Sequence, residues 1–133
     1  TFITSLIKPM GTYGFQGADI DWEYPAEPKR GGRKADTDNL VLLMKEMHAA
    51  FGGHYGSNLT RYFRGFKPAE LQDYVDFMGF MSYDLHGPRD EDVWALGSVV
   101  RPQTDITEID KNLKPLWFDG VDPAKINFGT AYY

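Results

Sequence analysis

The chain has 133 residues, a formal net charge of −5, 15% aromatic residues and no cysteine. An acidic chain without a basic face is a poor match to nucleic acid. No apolar run approaches the roughly 20 residues of a membrane span, and the lack of cysteine leaves no disulfide or thiol chemistry.

Phe2, Ile3, Leu6, Ile7 and Met10 recur at helical spacing, so a helix is expected to close near Met10. Pro9 disturbs its last turn, and a loop over Gly11-Thr12-Tyr13-Gly14 follows. Gly14 to Pro25, GFQGADIDWEYP, reads as a β-strand with strict alternation. Asp19, Asp21 and Glu23 fall on one face, and Ala18, Ile20 and Trp22 on the other. Same-face neighbours on a strand stand about 6.5–7 Å apart. Three carboxylates in a row repel one another, and folding alone supplies no reason for them.

Three readings fit that row. It is a solvated strand face, a site for a divalent cation held by carboxylate oxygens, or an acid–base site acting on a glycosidic bond. Trp22 and Tyr24 favour the third, because aromatic faces stack on sugar rings. Carboxyls crowded into a dry site titrate apart, which leaves one protonated as a general acid must be.

Residues 26–34 carry Pro, Gly and four basic side chains without a phosphate-loop pattern, so a solvated surface loop is expected. Thr37 to Phe51 is the clearest helix, with Leu40, Leu43, Met44, Met47 and Phe51 in one stripe. Asp36, Thr37 or Asp38 can cap it, and Gly52-Gly53 ends it. Asn58-Leu59-Thr60 is a formal N-glycosylation sequon. Pro68 to Asp76 reads as a short helix.

The run Phe77 to Tyr83 is nearly all apolar, as a strand covered on both faces would be. A long connection, Asp84 to Gln103, carries His86-Gly87-Pro88. A helix over residues 104–117 follows, lined by Ile106, Ile109, Leu113 and Leu116, and Pro115 is expected to end it near Leu113. Lys125 to Tyr133 opens a last strand, with Ile126 and Phe128 on one face and Asn127 on the other. Strand, helix and strand in succession indicate βαβ units and an α/β fold.

The segment Asp19-Ile20-Asp21-Trp22-Glu23-Tyr24-Pro25 resembles the Asp-x-x-Asp-x-Asp-x-Glu signature of the glycoside hydrolase family 18 chitinases, nearest in wording to fungal ones. Phe80-Met81-Ser82-Tyr83-Asp84 resembles the family's Met-x-Tyr-Asp, in the right order and roughly 60 residues later. The resemblance implies a (β/α)₈ TIM barrel, which takes about 250 residues when whole. Residues 1–133 would form a partial catalytic domain covering about strands 4 to 7. The chain begins at Thr1 and ends on Tyr132-Tyr133 inside an apparent strand, so a piece of a longer protein is expected, one that neither folds stably nor works alone.

The resemblance also implies roles. Glu23 would be the acid/base, Asp21 would orient the substrate's acetamido group, Asp19 would tune Asp21, and Tyr83 would donate to the acetamido oxygen. Asp84, Met81 and Tyr24 would bind substrate, and Trp22 would pack in the core. Gln16 stands where the signature's first Asp belongs, for which a modest loss is expected. The strand before Phe66 looks several residues short for the family, and Arg89 stands where relatives often carry Trp. Chitin or a chito-oligosaccharide is the implied substrate, with no metal, organic cofactor, nucleic acid or membrane partner and a secreted parent. The alternatives are a non-catalytic chitin-binding lectin on the same fold, an enzyme acting on N-glycans, and an inactive remnant.

Overall fold

The computed structural model describes residues 1–61, 65–87, 90 and 100–133, and of residues 58–61 only the backbone. The elements alternate: α1 (Phe2–Tyr13), β1 (Gly17–Ile20), α2 (Asp36–Phe51), β2 (Gly56–Arg61), α3 (Pro68–Leu71), β3 (Phe77–Met81), α4 (Ile106–Phe118) and β4 (Ile126–Gly129). Short 3₁₀ turns at Pro28–Arg30 and Pro123–Lys125 sit in the connections. The four strands form one sheet in the order β1-β2-β3-β4. All three pairings are parallel, with Gly17 opposite Gly56, Asn58 opposite Phe77 and Met78 opposite Ile126. Parallel neighbours need a crossover, and α2, α3 and α4 supply the three.

The core lies on one face of this sheet. Met78 and Phe80 on β3 and Ile126 on β4 meet Leu40, Met44, Met47 and Phe51 of α2, Leu71, Val75, and the Ile109, Leu113 and Leu116 stripe of α4. The opposite face of β3, with Phe77, Gly79 and Met81, is only half covered. On β4, Phe128 shares the face of buried Phe80 yet is 55% exposed. The two rings still meet edge to face, with centroids 6.3 Å apart.

Several expectations from the sequence change. α1 does not stop near Met10; it runs to Tyr13 and closes on Gly14, in the left-handed conformation at φ 75°. Pro9 lies on its exposed side, where water can serve the carbonyl left without a partner. α2 begins at Asp36, and its cap position is Ala35, which makes no side-chain bond. Asp36 instead turns back to accept from the Arg33 backbone N–H at 2.7 Å, which holds its carboxyl below the ordinary Asp range despite burial.

α4 passes through Pro115 and ends at Phe118. Leu116, one residue later, is buried in the core, and burying such a side chain is worth about 1.5–3 kcal/mol. That offsets the proline's local cost. Ile106, expected in the stripe, is exposed instead, and Val121 joins the core beyond the helix end. The stretch that looks short for the family still carries a paired strand. β2 has six residues against the four of β1 and pairs on both sides. The sequon Asn58-Leu59-Thr60 therefore lies in a central strand rather than a surface loop. Among the described residues no helix is long and apolar enough to cross a membrane.

Candidate active site

The expected twelve-residue strand is paired over only four residues, Gly17–Ile20. Gly17 starts it because β2 comes very close: a Cβ there would stand 2.6 Å from the Gly56 carbonyl oxygen. Gln16 lies just ahead of the strand, exposed, and its carbonyl accepts from the Gly56 N–H at 2.7 Å. Beyond Ile20 the backbone leaves the ladder, but the alternation of faces continues. Ala18, Ile20 and Trp22 pack against the core, as expected for Trp22, while Asp19 and Asp21 are exposed and the Glu23 side chain is 31% exposed. The acids therefore share an open, wet face rather than a dry site. The peptide joining Glu23 to Tyr24 is cis.

The loop that follows folds back onto the acid. Arg30, on the 3₁₀ turn, places its Nη1 3.5 Å from the Glu23 Oε2. Its guanidinium also lies 5.5 Å above the centre of the Tyr24 ring, a cation–π arrangement. The basic loop expected to be merely solvated thus sends one cation to the candidate acid. Both partners are partly exposed, so the pair is weak and readily replaced by an incoming group.

Pro25 is buried, and Gly65 lies against it. Gly65, at φ 75°, lies so close to the Pro25 carbonyl that a Cβ would collide with it. Thr37 at the start of α2 donates its hydroxyl to the Gly65 carbonyl at 2.8 Å. Pro25, Gly65 and the start of α2 are thus knitted together close to Glu23 in the chain.

The second motif ends β3. Met81 is the strand's last residue, paired with Gly129 of β4. Tyr83 is half-buried and its ring fills the space beside Gly129, where a Cβ would stand 2.9 Å from Tyr83 Cε1. Ser82 donates its hydroxyl to the Gly129 carbonyl at 2.7 Å. Asp84 has a left-handed backbone, φ 54°, and its N–H donates to the Gln103 side-chain oxygen at 3.2 Å. The Tyr133 hydroxyl donates to the Asp84 Oδ1 at 2.7 Å. The expectation for Arg89 falls outside the described residues.

Both motifs stand at the carboxyl ends of parallel strands in one sheet, two strand spacings apart, or roughly 10 Å. Asp19, Asp21 and Glu23 rise along one rim position, and Met81, Tyr83 and Asp84 along another. Three residues at this rim escaped the sequence reading: Arg30, Gly129 and Tyr133. The first is one of four cations in its loop, and the other two act across long stretches of chain. Among the described residues, no three His, Cys, Asp or Glu side chains converge as metal ligands. Paired acids beside a phenol at one rim can donate and accept protons across a bound sugar.

The model of the glycosyl hydrolases family 18 matches residues 1–133. "Probable chitinase 2" of Drosophila melanogaster is 29% identical over 139 residues, covering 99% of this chain and 28% of that protein. "Secreted chitinase LysM12" of Penicillium expansum is 32% identical over 136 residues, covering 88% of this chain and 9% of that one. Among solved structures, Ostrinia furnacalis Group IV chitinase in complex with allosamidin superposes with a TM-score of 0.79 at 22% identity, over 97% of this chain and 38% of the other. The chain spans less than a third of the length of the two curated relatives.

Proposed function

This chain belongs to the family 18 glycosyl hydrolases, with their (β/α)₈ barrel fold, and from that membership we propose that its parent hydrolyses β-1,4 linkages between N-acetylglucosamine units of chitin. The strands β1 to β4 are the fourth to seventh of the barrel. The observation that carries the reading is the meeting of the two motifs at the carboxyl rim of one parallel sheet. Active sites of this fold sit at that rim.

The reaction proceeds with assistance from the substrate itself. Glu23 gives its proton to the glycosidic oxygen as the bond to the anomeric carbon breaks. The acetamido carbonyl oxygen of the same sugar attacks that carbon and forms an oxazolinium ion. Asp21 accepts the acetamido N–H and offsets the positive charge, with Asp19 beneath it. Tyr83 donates its hydroxyl to the acetamido oxygen and steadies it for attack. Water then adds to the anomeric carbon, its proton passes to Glu23, and the oxazolinium ring opens with retained configuration. Asp84 holds the adjoining sugar, with Met81 and Tyr24 along the cleft. Arg30 marks where Glu23 meets a cationic or polar partner when no sugar is present. The parent acts outside the cell, as the name of the Penicillium secreted chitinase says of that protein.

The test is Glu23→Gln in the parent. Turnover is expected to fall by about 10²–10⁴-fold, the usual contribution of a general acid–base group, while chito-oligosaccharide binding survives. An active Gln variant would remove Glu23 from the mechanism. A parent that binds chitin oligomers without turnover before any mutation would instead be a lectin.

A further inference from the structure

Past Asp84, the connection to α4 holds a histidine in an unusual setting. The His86 side chain is only 7% exposed. Its Nδ1 lies 2.8 Å from Asp90 Oδ2 in the same connection, and its Nε2 lies 2.8 Å from Glu108 Oε2 on the first turn of α4. A neutral imidazole has one donor and one acceptor nitrogen, and an ionised carboxylate only accepts. A neutral ring therefore sets a lone pair against one of the two carboxylates. Only the imidazolium donates to both.

The same connection carries Asp84 in its left-handed conformation. A non-glycine residue persists there because its surroundings determine it. Gln103 supplies part of the hold, taking the Asp84 N–H on its side chain and the Leu85 N–H on its backbone carbonyl at 3.0 Å. His86 supplies the other anchor, two residues along, by tying the connection to α4.

We propose that His86 is a positioning residue: as the imidazolium it bridges Asp90 and Glu108, ties residues 84–87 to α4, and so sets Asp84 for the sugar. The clasp opens when the ring is neutral, and sugar binding weakens with it. This rests on the assignment of Asp84 as a sugar-binding residue.

The groups facing the ring are Asp90 from the connection and Glu108 from α4. The other charges on the adjoining segments are Asp84, which accepts from Tyr133, and Asp105, which caps α4. The hydrogen bond to Asp90 raises the His86 pKa above the ordinary histidine value; burial opposes this and Glu108 adds to it. A raised pKa means the clasp is complete below the ordinary histidine value and is lost as pH rises through the raised one.

The experiment uses the parent protein with Glu23→Gln, so that sugar binds without turnover and the acid's own titration is removed. Chitotetraose affinity is measured by calorimetry from about pH 5 to 9, bracketing the histidine range. The His86 ring and the Asp84 backbone amide are followed by NMR over the same range. Affinity is expected to fall about tenfold as the ring deprotonates, the scale of one lost charged hydrogen bond, and the Asp84 amide should move with the same midpoint. Adding Glu108→Gln keeps a hydrogen-bond acceptor but removes a charge, so all midpoints should shift to lower pH. Adding His86→Gln should flatten the pH dependence. An affinity that ignores the ring's titration, or an Asp84 amide that does not follow it, overturns the proposal. Absence of chitotetraose binding at every pH rejects the chitinase reading instead, and the NMR midpoints still decide whether His86 controls Asp84.

Discussion

Gly129 is where the candidate phenol gets its room. A Cβ at that position would stand 2.9 Å from Tyr83 Cε1 and 3.2 Å from the Phe80 carbonyl oxygen, and the second of these is backbone that cannot swing away. Gly129→Ala is therefore expected to cost about 1–3 kcal/mol, as overpacking does, and to lower kcat/KM by displacing the Tyr83 ring. Urea unfolding and kinetics of the parent check both; an Ala variant with unchanged stability and turnover would show that the ring does not depend on this gap. Tyr83, Asp84 and the three acids were readable in the sequence because each belongs to a short local pattern. Gly129 was not, since its neighbour lies far back in the chain. Arg30 was hidden for a different reason: four cations share its loop, and only the 3₁₀ turn decides which of them reaches Glu23.

At the level of elements, α4 is the case where local preference and packing disagree. Pro115 sits inside the helix, without the N–H that would pair with the Lys111 carbonyl. Leu113 before it and Leu116 after it are both buried, and that pair of contacts carries the helix across. Pro115→Ala restores the missing donor at an exposed position and is expected to stabilise the fold by about 1–3 kcal/mol. A lower Tm for the Ala variant would mean that proline's restriction of the unfolded chain is the larger effect. The helix periods were legible because burial follows them, as in Leu40, Met44, Met47 and Phe51. The length of β1 was not, because alternation reports which way side chains point, and Asp21, Trp22 and Glu23 keep alternating after backbone pairing with β2 has ended.

For the molecule as a whole, the parallel α/β order was legible from strand–helix–strand succession, and the candidate site was read from two motifs at the ends of β1 and β3, which β2 separates. Among the described residues the sheet has two outer strands, β1 and β4, and Phe128 on β4 is 55% exposed. Unpaired edges invite association with other chains. The 133-residue chain by itself is expected to give no turnover of a chitobiose-based fluorogenic substrate. Turnover that disappears with Glu23→Gln would show that these residues suffice. The strand order has one more consequence, for how such a chain comes into being. Each strand pairs only with those next to it in sequence, so during synthesis a newly made strand finds its partner already in place. Assembly can keep pace with the ribosome, and among these four strands the step that lags is the one between β3 and β4, where the longest connection must close before β4 can dock.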